Sequence, residues 1–350
     1  MIQDKIYDAL KESAFLYLDD FMNISLRDEE HGYYTSNKAI GKDGDFVTAP
    51  EISQMFGEII AVKILNLIHA RNIKKFNLIE LGPGRGALIN DITRVLNALL
   101  DEDVEYTIHF NEINKFYIQN LKNTYPNCKI HKNFNSYPNE FSIIIANEFF
   151  DALPVKQYKK LGRVWYERYV VKNKDKYEFK DEKIQFLEIE KNLGEKVRGY
   201  EKFIEFSPRS IEKISEISKI IKKNNGGALI IDYGYLGKKM LDTVQSVKNH
   251  KKTDILQNIY KSDITHLLNF SFYKKKFHKK LDQIKIISQR KFLINMGILH
   301  RAEILSKNLT FRQKTDLYYR VQRLIDSKQM GELFKVMFVT NKQNNFSMGF

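Results

Sequence analysis

The chain has 350 residues, 43% hydrophobic and 29% charged, enough to bury a substantial core in one large unit or two smaller ones. No run approaches 18 uninterrupted apolar residues, which excludes a membrane-spanning helix, and the single Cys128 excludes an internal disulfide or a cysteine metal cluster. The net charge of +14 invites nucleic acid, but only 13 of the 57 basic residues are arginine and the lysines are scattered among isoleucine and asparagine; this reads as compositional bias with solvated faces, so nucleic acid is set aside as a partner.

The start, "MIQDKIYDALKESAF", carries Asp4, Asp8 and Glu12 on a helix-like pattern, unlike a signal or transit peptide, and a cytoplasmic chain is expected. Residues 1–72 read as helices with an irregular loop near 31–50. "FNLIEL" (76–81) is an apolar run stopped by glycines, hence a buried strand. In "ALINDITRVLNALL" (87–100), Leu88, Ile89, Ile92, Val95, Leu96 and Leu99 fall at helical spacing. A strand (105–112), a helix (114–125), a strand (128–134) and a fourth strand (141–150) follow. Residues 155–190 hold strand-like pieces, "VWYERYVV", "KYEF" and "IQFLEI", expected to form an antiparallel insertion. A helix at about 208–223 opens on Ser207-Pro208, a cap and a first-turn proline, and "GGALIIDYGY" (226–235) is a fifth strand. Strands alternating with helices predict a mostly parallel sheet covered on both faces, with ligands at the carboxyl ends of the strands.

The chemistry gathers at those ends. Gly82, Gly84 and Gly86, with Pro83 among them, separate the first strand from its helix in "GPGRGA". Glycine permits positive φ and a close approach of backbone to ligand, and the N–H groups at the helix start attract electron-rich groups. A dinucleotide and S-adenosylmethionine both use such a turn. Glu80 separates the two: a carboxylate repels a pyrophosphate but suits an ammonium and a sulfonium. Glu112, ending the second strand, suits a ribose diol under either reading. At the fourth strand, "ANEFFDALPV" (146–155) sets Asn147, Glu148 and Asp151 over the same crevice. Two carboxylates there can hold a planar guanidinium, with Phe149 and Phe150 excluding water. The plainer alternative is a helix cap and two core rings. Asp232 and Tyr233 are secondary candidates for an acceptor channel. His31, His109 and His131 are isolated and read as packed or surface histidines, so no metal is expected.

Together these residues resemble the MidA-like methyltransferases. "HGYYT" (31–35), "GDFVTAPEISQMFGE" (44–58), "IELGPGRGAL" (79–88), "NEFFDALPV" (147–155), "IDYGY" (231–235), "DTVQSVKNHKKTD" (242–254), "DITHLLNF" (263–270) and "MGELFKVM" (330–337) are similar to that family's successive blocks, in order. The resemblance implies an α/β, Rossmann-like class I methyltransferase fold with an N-terminal helical region, an antiparallel β insertion and a mixed C-terminal region. It implies S-adenosyl-L-methionine as cofactor and an arginine of a protein, a respiratory complex I subunit or its bacterial equivalent, as acceptor. Glu80, Gly82, Pro83, Gly84 and Gly86 match the cofactor loop and Glu112 the ribose acid. Thr48, Pro50 and Glu51 match the N-terminal block, with Thr48 also readable as a helix cap; Asn147 joins the cofactor side. Glu148 and Asp151 are the expected catalytic pair. The chain is expected to be one catalytic unit: residues 1–72 helical, 73–235 the cofactor-binding core with an insertion at about 155–205, and 236–350 a substrate or partner region. An assembly chaperone that binds the cofactor without using it, a nucleotide-dependent oxidoreductase and an RNA methyltransferase remain as alternatives.

Overall fold

Apolar runs that end at glycine or at a carboxylate build the centre of the protein. The computed structural model describes residues 5–36, 47–131, 137–174, 176–248, 251–341 and 347–350. Seven strands form the main sheet: β1 (Lys75–Leu81), β2 (Glu105–Asn111), β3 (Lys129–Ile130), β4 (Phe141–Asn147), β5 (Gly226–Tyr235), β6 (Gln283–Ser288) and β7 (Phe334–Thr340). Their order is β3-β2-β1-β4-β5-β7-β6, and a two-residue strand, Leu268–Asn269, pairs with the end of β5. β1 to β5 run parallel, whereas β7 is antiparallel to both β5 and β6. This is the Rossmann-like architecture that the resemblance implied.

Strand alternation divides the core in two. Leu78, Ile143, Ile145, Leu229 and Ile231 face the helices Gln54–Ala70 and Ala87–Leu99. Ile79, Ile144, Ala146, Ala228 and Ile230 face the helices Pro208–Asn224 and Phe270–His278. Burial on both faces is what makes β1 and β4 near-continuous apolar runs in sequence. It also leaves the strand mouths as the place where polar groups can meet a ligand, because those inside the layers, such as Asn77 and His109, are hydrogen-bonded to each other.

Three sequence expectations change. β3 is shorter than 128–134: only Lys129–Ile130 is strand, and 132–134 lie outside the described residues. β4 stops at Asn147, where the backbone turns. The piece "IQFLEI" is not a strand. Its Ile184 ends one, and Phe186–Leu193 is a helix that buries Ile189 and Leu193 four residues apart and stops at Gly194, φ +67°. The insertion is otherwise antiparallel: Lys156–Leu161, Val164–Asn173, Lys176–Ile184 and Phe203–Phe206, joined by Leu16–Tyr17. The N-terminal region is helical, as Lys5–Ser13, Leu18–Arg27, Tyr33–Ser36, Ala49–Ile52 and Gln54–Ala70. Most of its expected irregular loop, 37–46, lies outside the described residues, with the first three positions of the 44–58 block and residues 249–250 of the 242–254 block. No helix among the described residues is long and apolar enough to cross a membrane.

Candidate active site at the strand mouths

All three glycines of the loop after β1 take left-handed backbone: φ is +64° at Gly82, +53° at Gly84 and +79° at Gly86. Side chains rarely adopt that conformation, and a Cβ on Gly82 would meet the Phe149 ring at 3.0 Å. The loop is pinned by Gly82 N–H donating to Asn111 O and Gly86 N–H to Pro83 O, each at 2.9 Å. Gly84 N–H donates to the Glu112 carboxylate at 3.1 Å. Glu112 also accepts from the N–H groups of Ile113 (2.7 Å) and Asn114 (2.8 Å). Burial raises the Glu112 pKa, and these three donors oppose the rise. Glu80 has no such support. It is 3% exposed, and its Oε2 has no hydrogen-bond partner among the described residues. Burial, then the charge of Glu112, pushes its pKa up to about 8.

The turn after β4 supplies the second group. Glu148 sits at φ +50°, a conformation costly for a residue with a side chain, and its N–H donates to Ile231 O at 2.9 Å. Its Oε1 accepts from Ala49 N–H (3.4 Å) and Asn147 Nδ2 (3.3 Å). Burial, with Asp151 next, pushes the Glu148 pKa to about 8. Asp151 accepts from the Tyr233 hydroxyl and is raised to about 6 by burial; its Oδ1 is unpaired among the described residues. Asp232 lies beneath. One oxygen accepts from Phe150 N–H (3.1 Å) and Asp151 N–H (3.3 Å), the other from Tyr233 N–H (2.9 Å). It therefore holds the turn in shape and does not line the cavities described below, unlike its sequence reading as a channel residue. Of the two phenylalanines, Phe149 faces the crevice and Phe150 is core, packed edge-on to Tyr273.

Three adjoining cavities open here. One of about 580 Å³ is bounded by Gly82, Gly84, Glu112, Tyr117, Phe149 and Arg27. A second, about 420 Å³, is bounded by Glu80, Pro83, Thr48, Glu51, Arg85 and Asn147. The third, about 1290 Å³, lies over Asp151 and Tyr233 with Tyr34, Asp263, Arg323 and Phe334 in its walls. Glu148 lines all three. The structure thus brings Thr48, Glu80, Gly82, Pro83, Gly84, Glu112, Asn147, Glu148 and Asp151 to one crevice, while Gly86 stays behind it, at the N-cap of the helix Ala87–Leu99. Thr48 holds the N-cap position of Ala49–Ile52, but its side chain makes no capping bond, which leaves it to the cavity.

Two other lining residues were given no role by the sequence, although Tyr34 lies in the "HGYYT" block. Arg27 reaches the Glu112 cavity, where burial lowers its pKa to about 10. Tyr34 lines the first and third cavities, donates its hydroxyl to Asp263 at 2.6 Å, and accepts from Asn114 Nδ2 at its carbonyl. The histidines differ from expectation in one respect: His109 and His131 are not isolated but hydrogen-bond each other at 2.8 Å in the core. Among the described residues no group of three or more His, Cys, Asp or Glu is placed to hold a metal ion.

One oxygen each of Glu80, Glu51, Asn147 and Asp151 has no hydrogen-bond partner among the described residues and can receive a ligand's donor. A ligand carrying an ammonium, a sulfonium and a ribose diol fits them better than a pyrophosphate. Comparison with known proteins agrees. Residues 59–286 match the model of a family described as "Putative S-adenosyl-L-methionine-dependent methyltransferase". The chain is 30% identical over 355 residues to the mitochondrial protein arginine methyltransferase NDUFAF7 of Danio rerio, covering 92% of this chain and 82% of the relative. It is 30% identical over 373 residues to the protein of the same name from Homo sapiens, covering 95% and 82%. In three dimensions it resembles a crystal structure from Burkholderia thailandensis bound to S-adenosyl-homocysteine. The TM-score is 0.82 at 22% identity, covering 99% of this chain and 92% of that one.

Proposed function

The chain belongs to that family of S-adenosyl-L-methionine-dependent methyltransferases, and from this premise we propose that it methylates an arginine of a protein substrate. Its relatives' printed name, protein arginine methyltransferase, supports this choice of acceptor. The resemblance adds a narrower partner, a respiratory complex I subunit or its bacterial equivalent.

When bound, the cofactor supplies a methyl group on a positively charged sulfur. Glu80, Thr48 and Asn147 would hold its amino-acid end, Glu112 its ribose, and Gly82, Pro83, Gly84 and Gly86 would form the loop beneath. The orphaned oxygens at Glu80 and Asn147 support that orientation. The third cavity would admit the acceptor. Glu148 and Asp151 would orient its guanidinium, and Glu148 would take the proton that nitrogen loses as it gains the methyl group. An arginine is protonated in water, so a base is required; desolvation raises the Glu148 pKa to about 8, and a guanidinium held beside it would favour the ionised form that can take the proton. Phe149 and the buried walls exclude water. Well-aligned reactions gain about 7–11 kcal/mol from positioning alone.

One observation supports this reading: Glu148 is the single acid among the described residues that lines all three cavities, which is where cofactor and acceptor would meet. Purified E148Q is expected to bind the cofactor in calorimetry nearly as the wild type does. Transfer of tritiated methyl to extracts of cells lacking the protein should fall about 100-fold or more. Labelling at the normal rate by E148Q would move the base elsewhere.

A further inference from the structure

The third cavity carries three carboxyl groups, Glu148, Asp151 and Asp263, and is apolar along much of its wall, with Leu267, Met330 and Phe334. Arg323 is the only basic side chain among the described residues that line it. Arg323 belongs to the last turns of the helix Phe311–Ile325, which Val321 and Leu324 anchor in the core. It has no hydrogen bond or ion pair among the described residues. Its neighbour on the same helix, Arg320, is bound to Asp316 at 2.8 Å. A half-buried guanidinium facing a cavity yet bound to none of its carboxylates is a donor fork without an acceptor.

Resting on the arginine-methyltransferase reading, we propose that Arg323 binds a carboxylate of the substrate protein, so that the enzyme selects an arginine with an acidic side chain beside it. The carboxyl groups take the positive guanidinium, and Arg323 takes the negative group next to it. The charge pattern of the cavity thus mirrors an arginine–acid pair. Guanidinium and carboxylate match as planar, bidentate partners, which fixes register as well as affinity. The arrangement also rejects polybasic segments: a second cation near Arg323 is repelled although the cavity carries carboxyl groups. The chain's net charge of +14 acts in the same direction, favouring acidic partners. The competing explanation is that Arg323 only complements the dipole at its helix C-terminus. That role would affect folding and not substrate choice.

The test starts from the wild-type protein and tritiated S-adenosylmethionine in extracts of cells lacking the protein, with the labelled residue located by mass spectrometry. The expected site is an arginine with Asp or Glu within about four residues, or beside it on the folded surface. With the purified acceptor, R323E should raise KM about tenfold or more and leave kcat, cofactor affinity and Tm close to wild type. Changing the neighbouring acid of the acceptor to Lys should restore the KM of R323E and impair the wild type. R323Q, which keeps polarity without charge, should lie between and guards against a folding defect. A labelled arginine with no acid nearby, or wild-type KM in R323E, overturns the role of Arg323 alone. Labelling of some other residue type, or of nothing, overturns the arginine-methyltransferase reading beneath it.

Discussion

Glu80 shows how one side chain can hold a binding site in tension. Near the end of β1 it has neither an ion-pair partner nor a full set of donors among the described residues, and burial lifts it from an ordinary value of 4.5 to about 8. A carboxyl raised in the folded state stabilises that state while protonated. Its contribution is fully present below about pH 4.5 and is lost as pH rises through about 8. The ligand-free protein should therefore lose stability between pH 5 and 9. E80Q should lose less and be more stable than the wild type at pH 9 by about 1–3 kcal/mol, read from thermal melts at each pH. A cationic ligand reverses the sign, because it prefers the ionised acid. The Tm increase given by S-adenosylmethionine should grow with pH up to about 8 in the wild type and stay small in E80Q. Parallel curves for the two proteins would mean that Glu80 does not meet the ligand's charge.

At the scale of elements, the site is made by two backbone turns. The loop after β1 depends on three left-handed glycines, and the turn after β4 forces Glu148 into the same region, held by Asp232. Gly84→Val puts a branched side chain at φ +53° on the wall of the first cavity, which strains the loop and fills the ligand's space. Calorimetry should detect no cofactor binding while far-UV circular dichroism stays that of the wild type; normal affinity would remove the loop from the site. The first turn was legible in sequence because an apolar run ending in glycine is a local signal; the second was not, since 141–150 reads as one strand and the backbone turns at Glu148. β5 was legible too: its bounds, 226–235, match the reading made from "GGALIIDYGY". β6 and β7 were not legible as sheet members. They enter the sheet from positions 283–288 and 334–340 after a stretch that reads as mixed, and a local apolar pattern does not say which strand a segment pairs with. "IQFLEI" was ambiguous because a short apolar stretch satisfies both periods, and only burial of Ile189 and Leu193 decides for helix. The acceptor cavity was half legible. Glu148 and Asp151 stand beside a strand; Tyr34 and Asp263 lie in the blocks 31–35 and 263–270, which the resemblance picked out without giving these residues a role, and Arg323 reaches the cavity from a stretch with no signal of its own.

For the whole molecule, the question is whether residues beyond 236 fold with the core or on their own. The basic run 273–280 argues for the former. Tyr273, Lys276 and Phe277 are buried, so it is not a wholly solvated face, and Lys275, Lys276 and Lys279 all lie within 4.0 Å of Glu195 in the insertion. A second tie runs through Glu58, 5% exposed at its side chain. It sits on Gln54–Ala70 and accepts from Arg94 (3.0 Å) on Ala87–Leu99 and from Arg301 (2.7 Å) on Ile298–Ser306. One buried carboxylate thus joins the N-terminal region, the helix behind the glycine loop and the C-terminal region. Removing it in E58A leaves Arg94 with Asp91 alone, at 2.9 Å, and takes from Arg301 its carboxylate partner. Both arginines are partly exposed, which screens the loss, so the expected cost is about 1–3 kcal/mol. Because the tie crosses all three regions, that cost should appear as a lower Tm in a single transition, coincident by circular dichroism and tryptophan fluorescence from Trp165 in the insertion. Glu58 lines none of the three cavities, so cofactor affinity below the transition should be unchanged. A new low-temperature transition in E58A, with the rest of the melt unmoved, would show that the C-terminal region folds as a separate unit.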